Sequence, residues 1–145
     1  AIDWYSTTKI PLRDARGAII GVAGFTRDLA KMKSAHENFL ELAPVLETMM
    51  RDHGQPLRIP ALAARAGLST SQLERSFRKR FRTTPHKYLQ RIRTDAAAQL
   101  LADTELPIGT IARRTGFYDQ SHFTRHFVRV RGETPTAYRR RTSRL

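Results

Sequence analysis

Residues 111–139 read IARRTGFYDQSHFTRHFVRVRGETPTAYR, and residues 62–88 read LAARAGLSTSQLERSFRKRFRTTPHKY. The two stretches are copies of one pattern. An Ala and a Gly recur at an offset of 49 residues, Ala63 with Ala112 and Gly67 with Gly116. After one additional residue in the second copy, further positions recur at an offset of 50: Leu73, Arg75, Phe77, Thr84, Pro85 and Tyr88 with Phe123, Arg125, Phe127, Thr134, Pro135 and Tyr138. Such a repeat indicates two related supersecondary units.

Each copy predicts a helix, a tight turn and a second helix. Gly67 and Gly116 are suited to the left-handed conformation that ends the first helix. Ser69 or Thr70 caps the second helix in the first copy, and Asp119 does so in the second. The inward side chains are Leu73, Phe77, Arg80 and Phe81 in one copy and Phe123, Phe127 and Val130 in the other. The small Ala of each first helix permits the close helix crossing of a helix-turn-helix unit.

Between the copies, PHKYLQRIRTDAAAQLLADT predicts one long helix over residues 85–104. Pro85 suits its first turn, and its apolar stripe is predicted to be Ile92, Ala96, Leu100 and Leu101. A helix of roughly 19 residues spans about 28 Å, which is close to the ~34 Å between successive major-groove faces of B-DNA. One chain could therefore place two helices into adjacent groove segments.

The first part of the chain has a different pattern. Residues 1–30 predict a strand that ends at Pro11, a turn closed by Gly17, and a second strand. Residues 31–53 have a helical period, and Pro44 should either interrupt this helix or start the next one. We therefore divide the chain into a β fragment at 1–30, a helical connector at 31–43 and a basic helical domain at 44–145.

The charge is unevenly distributed along the chain. The formal net charge is +13; residues 1–54 hold 7 basic and 7 acidic side chains, whereas residues 55–145 hold 19 basic and 6 acidic ones. The whole excess lies in the helical domain, which favours a polyanionic partner over a merely solvated surface. The chain has no Cys and no apolar run of the ~18 residues that a membrane span needs. We expect a soluble cytoplasmic protein that does not enter a membrane.

Helical geometry identifies the side chains that face away from the predicted core on the two second helices. The candidate DNA-binding residues are Ser71, Gln72, Glu74, Arg75, Arg78, Lys79, Gln120, Ser121, His122, Thr124, Arg125, Val128 and Arg129.

Their chemistry suits major-groove recognition. The repeat makes Arg75 and Arg125 equivalent, and both are suited to bidentate contact with guanine. Gln72 and Gln120 suit adenine or phosphate, Val128 suits a thymine methyl, and Lys79 and Arg129 suit phosphates. For Glu74 two roles stay open, accepting from cytosine or pairing with Arg78 four residues on.

The second copy closely resembles the signature of the AraC/XylS family of bacterial transcription regulators. The matching residues are Gly116, Phe117, Ser121, Phe123, Arg125, Phe127, Gly132, Thr134, Pro135, Tyr138 and Arg139. The resemblance covers roughly residues 40–141. It implies a seven-helix domain with two helix-turn-helix units joined by a long linker helix, and it implies that Arg75 and Arg125 lie on the DNA-reading helices. One departure is Arg82, which stands where the second copy has Gly132. It is either a strained helix cap or a phosphate contact.

The opening segment KIPLRDARGAIIGVAGFTRDLA, with its Asp28–Leu29 pair, resembles the last two strands of a PAS sensory domain. That resemblance implies a truncated PAS-like domain, in which Trp4 and Tyr5 line a ligand pocket or, as we prefer, pack in a core. The predicted fold class is mainly all-α, with a short β-strand pair ahead of the seven-helix domain.

Other chemistries receive little support. His122 and His126 have the spacing of a helical metal pair, but no third His or Cys stands at a supporting position. Asp119, Ser121 and His122 lack the glycines of a nucleophile elbow, and GVAG at 21–24 lacks the spacing of a phosphate loop. We predict no enzyme, no metal and no cofactor. The Arg-rich end, YRRRTSRL, is predicted to be a frayed terminus.

The sequence thus predicts a transcription regulator, and an activator by preference, that binds a defined sequence of double-stranded DNA. A non-specific basic binder of nucleic acid and a PAS-type signalling or dimerisation module are the alternatives. For the intact protein, three further partners are considered: RNA polymerase, a second copy of the chain through the upstream region, and a small-molecule effector on the sensory part.

Overall fold

The computed structural model describes residues 5–13 and 16–143 and is mainly helical. In chain order the elements are β1 (Tyr5–Arg13), β2 (Ile19–Asp28), α1 (Leu29–Arg51), α2 (Ile59–Arg65), α3 (Thr70–Phe81), α4 (Pro85–Asp103), α5 (Ile108–Arg114), α6 (Gln120–Arg131) and α7 (Pro135–Thr142). The described residues thus form seven helices and one strand pair. They fall into two compact units, Ala1–Leu42 and Ala43–Leu145.

In the first unit β1 and β2 form an antiparallel pair, as the sequence predicted, with Gly17 in the left-handed conformation at the turn. Pro11 does not end β1, contrary to the prediction, because it pairs opposite Val22 and the strand continues to Arg13. In a two-stranded sheet each strand is an edge, so a Pro can face away from the partner without removing a ladder hydrogen bond. Trp4 lies outside the described residues, as does the side chain of Tyr5.

Helix α1 runs from Leu29 to Arg51 without interruption, so the expected break at Pro44 is wrong. A proline inside a helix removes one backbone hydrogen bond and crowds the carbonyl of the preceding turn, and the ring of Pro44 is exposed. The hydroxyl of Thr48 donates to the carbonyl oxygen of Pro44 over 2.8 Å. Val45 and Met49 are fully buried one turn apart, and this burial maintains the helix through the proline.

The second unit contains two similar helix pairs, α2 with α3 before α4 in the chain and α5 with α6 after it. The short turns between paired helices hold Gly67 at φ +67° and Gly116 at φ +86°, which confirms the left-handed conformation predicted for both. Helix α4 has 19 residues and begins at Pro85, as predicted.

The core differs in part from the predicted stripes. On α4 the predicted Ile92, Ala96 and Leu100 are only half-buried. The buried residues of this helix are Pro85, Leu89, Arg93, Thr94, Ala97, Ala98 and Leu101. On α6 Val130 is 49% exposed, so its predicted inward placement is wrong. Helical spacing puts Val130 on the same face as the buried Phe123 and Phe127. It is exposed nevertheless, and it stands in the last turn of α6, one residue before the helix ends at Arg131.

The part of the Arg-rich stretch that the structure describes is largely helical rather than frayed, because α7 runs from Pro135 to Thr142. Residues 144 and 145 lie outside the described residues. The ring of Tyr138 packs edge-on against Phe127 with centroids 5.4 Å apart. Arg139 donates to the carbonyl oxygen of Leu106, and Arg141 pairs with Glu133. These contacts fasten α7 to the helical domain and occupy two of its guanidinium groups.

Candidate nucleic-acid interface

Helix α3 has one buried face and one basic, exposed face. Leu73 and Phe77 are fully buried. The Phe77 ring lies 5.5 Å from that of Tyr88, centroid to centroid, and fixes α3 against the start of α4. The predicted DNA-binding side chains that are exposed on this helix are Ser71, Gln72, Arg75, Arg78 and Lys79.

Of the predicted residues on α3, Gln72 also caps the helix and Glu74 is not fully exposed. The side-chain oxygen of Gln72 accepts from the backbone N–H of Ser69 over 2.8 Å, while the Ser69 hydroxyl accepts from the N–H of Gln72. This reciprocal cap engages one end of the Gln72 amide and leaves its NH₂ group available. Glu74 is half-buried, and among the described residues no ion pair joins it to Arg78.

Helix α6 repeats this arrangement. Asp119 caps it by accepting from the backbone N–H of His122 over 2.7 Å, and Phe123 and Phe127 are fully buried. The predicted residues that are exposed on α6 are Gln120, Ser121, His122, Arg125, Val128 and Arg129, and Thr124 is half-buried. The structure therefore places most of the predicted side chains on two exposed helix faces.

Arg75 and Arg125 occupy the same place in the two helices. Each is the sixth residue of a helix of 12 residues. Both side chains are exposed. The faces differ one turn further on, where α3 has the charged Arg78 and α6 has Val128, which is 38% exposed. The two surfaces are thus alike at the central Arg and different beside it.

A contact on α6 was not foreseen from the sequence. His126 is only 8% exposed, and its Nδ1 lies 2.8 Å from an Nη2 of Arg129. Burial, followed by the positive charge of Arg129, lowers the pKa of this imidazole. A His near an apolar stripe with an Arg three positions later was the available signal, but helical spacing alone did not reveal that the two side chains meet.

Two further residues that the sequence did not predict lie near the first residue of α6, one before it in the chain and one on α5. Tyr118, directly before the Asp119 cap, is 90% exposed and adds an aromatic ring to this end of the helix. Gly109 on α5 lies beside the side chain of Gln120, because a Cβ at that glycine would stand 2.9 Å from the Gln120 oxygen. Gly109 therefore leaves room for Gln120 between the paired helices.

Helices α3 and α6 also end in the same way. Arg82 has φ +56° and Gly132 has φ +76°, and both are left-handed caps whose N–H returns to the preceding turn. Arg82 is the one non-glycine residue with positive φ in the described part of the chain. The left-handed cap considered for Arg82 from the sequence is therefore present, and its side chain is exposed.

Residues 5–13 and 16–143 hold neither a candidate metal site nor a candidate membrane span. They contain no group of three His, Cys, Asp or Glu side chains that could hold a metal ion. In the same part of the chain, no helix is both long and apolar enough to cross a membrane.

Comparison with known proteins supports a nucleic-acid interface. A family described as a helix-turn-helix domain matches residues 62–141. The regulatory protein SoxS of Salmonella typhimurium is 39% identical over 87 residues, which are 60% of this chain and 81% of SoxS. The transcriptional activator RclR of Escherichia coli is 34% identical over 104 residues, which are 72% of this chain and 37% of RclR.

LumQ of Photobacterium leiognathi, a probable transcriptional regulator, is 34% identical over 95 residues, which are 65% of this chain and 38% of LumQ. The chain thus spans little more than a third of LumQ and of RclR. These relatives are transcription regulators, not enzymes.

Solved structures show the same fold. An AraC-type transcriptional regulator from Chromobacterium violaceum superposes with a TM-score of 0.70 at 28% identity, covering 75% of this chain and 97% of that one. The DNA-binding domain of AdpA, solved in complex with a target DNA, superposes with a TM-score of 0.67 at 30% identity, covering 70% of this chain and 91% of the other.

Proposed function

Because this chain belongs to the AraC-type helix-turn-helix family of transcription regulators, we propose that it recognises a defined duplex sequence with two helices at once. In this proposal α2–α3 and α5–α6 are two helix-turn-helix units, and α4 is the linker helix between them. Helices α3 and α6 enter successive major grooves on one side of the duplex.

The equivalent placement of Arg75 and Arg125 carries this proposal. Both side chains stand at the sixth position of a capped helix of 12 residues and are exposed. A guanidinium group at this place can donate two parallel hydrogen bonds to the O6 and N7 atoms of guanine. The 19 residues of α4 span about 28 Å, and this length suits the separation of successive grooves. AdpA, whose DNA-binding domain has this fold, binds a target DNA.

The two half-sites should differ in sequence because the two helix faces differ. Val128 on α6 presents methyl groups, which suit the C5-methyl of thymine, whereas Arg78 on α3 presents donors for guanine or phosphate. The half-site read by α6 is therefore proposed to contain guanine beside a thymine. The half-site read by α3 should not favour thymine at the corresponding base pair, because the charged Arg78 offers its methyl group no apolar partner.

Gene activation is a further part of the proposal. RclR is named an activator, and an activator bound beside a promoter would contact RNA polymerase. The unit Ala1–Leu42, with its strand pair, is proposed to belong to a PAS-like sensory domain that responds to a small-molecule effector or pairs with a second copy. The resemblance of residues 9–30 to the last two strands of a PAS domain supports this origin, through Pro11, Gly17, the apolar run that follows it and the Asp28–Leu29 pair.

Selection from a random duplex pool tests the proposal directly. The chain is incubated with duplexes carrying about 30 randomised base pairs at one stated salt concentration, since affinity without the salt concentration has no meaning. We expect a bipartite consensus whose halves lie one helical turn apart. Recovery of bound duplexes without any consensus would contradict the specific interpretation.

The net charge of +13 favours one other candidate, a non-specific binder of nucleic acid. Such a protein would bind random duplexes about as tightly as selected ones. A specific regulator should prefer its consensus by a factor of roughly a thousand or more. Competition between the selected duplex and a scrambled one of equal length therefore separates the two functions.

A further inference from the structure

On α6, a buried histidine holds an exposed arginine. His126 is 8% exposed, and its ring packs on Phe117 with centroids 5.5 Å apart. Arg129 is exposed one turn further along the helix, yet its Nη2 lies 2.8 Å from the Nδ1 of His126. A guanidinium group can only donate hydrogen bonds. The Nδ1 atom therefore accepts, and the imidazole is neutral with its proton on Nε2.

We infer that His126 is a positioning residue for DNA binding, which holds the Arg129 guanidinium ready to meet a backbone phosphate. The inference rests on the proposed function, since it requires that α6 lie against DNA. Arg129 has five N–H donors, and the contact with His126 uses one of them. The others remain available to a phosphate group.

The physical benefit is preorganisation. An unrestrained Arg side chain loses much of its rotamer freedom when it grips a ligand, whereas one already held by a rigid acceptor has less to lose. His126 is a rigid acceptor because Phe117 and the core confine its ring. The loss avoided for one such side chain corresponds to about a two- to tenfold gain in affinity. The gain should apply to every DNA sequence, because phosphates carry no base identity.

The neutral state of His126 is favoured by its surroundings. Burial lowers the pKa of the imidazole, and the charges of Arg129 and His122 on α6 and of His86 on α4 lower it further. The three side chains that lower it electrostatically are all basic. At neutral pH the Nδ1 lone pair is therefore available to Arg129.

The first repeat lacks this device, which gives an internal control. The positions equivalent to His126 and Arg129, at an offset of 50, are Ser76 and Lys79. Lys79 is exposed, and within the described part of the chain its ammonium group has no hydrogen-bond or ion-pair partner. Lys79 would therefore lose its full rotamer freedom on contacting a phosphate, whereas Arg129 has already lost part of it in the free chain.

A double-mutant cycle on the whole chain tests the inference with the selected duplex and a scrambled duplex. His126→Phe keeps an aromatic ring of similar size but removes the acceptor, and Arg129→Ala removes the guanidinium. We expect His126→Phe to weaken binding to both duplexes by about two- to tenfold. The double variant should be no weaker than Arg129→Ala alone. If the binding free energies lost in the two single variants simply add in the double variant, the inference is wrong.

Two variants distinguish positioning from a general structural effect. His126→Asn places an amide oxygen near the former Nδ1 and should recover at least half of the affinity lost in His126→Phe. Ser76→Ala in the first repeat should leave affinity within about twofold of the unchanged chain. A His126→Asn variant that is folded, by circular dichroism, and as weak as His126→Phe would contradict the inference.

The ring of His126 supplies a readout that does not depend on DNA. In ¹⁵N NMR spectra of the free chain at neutral pH, we expect His126 to show a bare Nδ1 and a protonated Nε2, with the Nδ1 resonance shifted by Arg129→Ala. A proton on Nδ1 would overturn the inference while leaving the proposed function intact. If the unchanged chain selects no DNA consensus, by contrast, it is the proposed function that fails.

Discussion

The Nε atom of Arg93, on α4, donates to the carbonyl oxygen of His53 over 2.8 Å, and the Nη2 atom of Arg93 donates to the carbonyl oxygen of Gln55 over 2.9 Å. Arg93 is 8% exposed, and burial lowers the pKa of its guanidinium. The group remains charged, because an arginine titrates far above neutral pH. The buried guanidinium group of Arg93 thus links the loop after α1 to α4.

Replacing Arg93 by Met should destabilise the helical domain. Met fills much of the same space, but the carbonyl oxygens of His53 and Gln55 lose their donors. Hydrogen bonds to a charged group contribute about 1.5–3 kcal/mol each, and a buried polar atom left unpaired adds to the loss. We expect the free energy of unfolding to fall by about 3 kcal/mol, measured by urea denaturation followed by circular dichroism.

Arg91→Met is the matched control, because Arg91 lies on the same helix and is exposed. Its effect on the free energy of unfolding should stay within about 0.5 kcal/mol. Equal losses in the two variants would mean that the hydrogen bonds of Arg93 contribute nothing particular to stability.

The turn before α6 lies against the same loop, and this predicts unequal effects at two equivalent glycines. A Cβ at Gly116 would stand 2.4 Å from the His53 carbonyl oxygen, whereas one at Gly67 would meet nothing within 4 Å. Both residues have positive φ, so alanine costs each about 1 kcal/mol. Gly116→Ala should cost at least about 2 kcal/mol more than Gly67→Ala in thermal or urea unfolding. Similar losses of unfolding free energy in the two variants would contradict the close contact between Gly116 and the His53 carbonyl oxygen.

Local signals in the sequence predicted the helices of the second unit well. Gly67, Gly116, Ser69 and Asp119 act within three or four residues of their own position, so turn and cap chemistry could be recognised without knowledge of the fold. Both turns have the predicted left-handed glycines, and both caps are formed by the predicted side chains. The two exposed helix faces followed from the same helical period.

Contacts between distant segments could not be predicted in this way. The buried cation at Arg93 looks like any exposed Arg in the sequence, because its partners are backbone atoms 38 and 40 positions away. Pro44 was expected to break a helix, since sequence alone does not show that Val45 and Met49 are buried. The pairing of His126 with Arg129 depends on side-chain rotamers, which helical spacing leaves undetermined.

Arg82→Gly should stabilise the chain. Arg82 has φ +56° at the end of α3, where the second repeat has Gly132 at φ +76°. Glycine adopts this conformation without the clash of a Cβ, and we expect a gain in the free energy of unfolding of up to about 1 kcal/mol. Gly132→Ala is the reverse control and should lose about 1 kcal/mol. A loss of stability in Arg82→Gly would mean that the Arg82 side chain contributes more than the strain costs.

The stability of the domain should fall in mild acid through His126. The pKa of this His is lowered in the folded chain from an unperturbed value of 6.5, mainly by burial. Between the folded and unfolded pKa values the unfolded chain binds more protons, so the free energy of unfolding decreases as the pH falls. The contribution is fully present above about pH 6.5 and is lost as the pH falls through the lower, folded value.

His126→Phe provides the comparison for this pH dependence. Urea denaturation at about pH 7.5 and about pH 5 should show a smaller loss of stability in the variant than in the unchanged chain. Parallel pH profiles for the two proteins would contradict the assignment to His126, because the remaining His and carboxylates titrate in both.

Arg125 and Arg129 lie one turn apart on the same exposed face of α6, and we expect them to contact different parts of the DNA. Arg125→Ala should cost about 1–3 kcal/mol on the selected duplex and relax specificity at one base pair, because a base contact is lost. Arg129→Ala should weaken selected and scrambled duplexes alike and reduce the slope of log affinity against log salt by about 1, because a phosphate contact is lost. Fluorescence anisotropy titrations at four salt concentrations measure both quantities. If Arg125→Ala lowered affinity for both duplexes equally, the guanidinium would be a phosphate contact, and guanine recognition would have to be assigned to another side chain of α6.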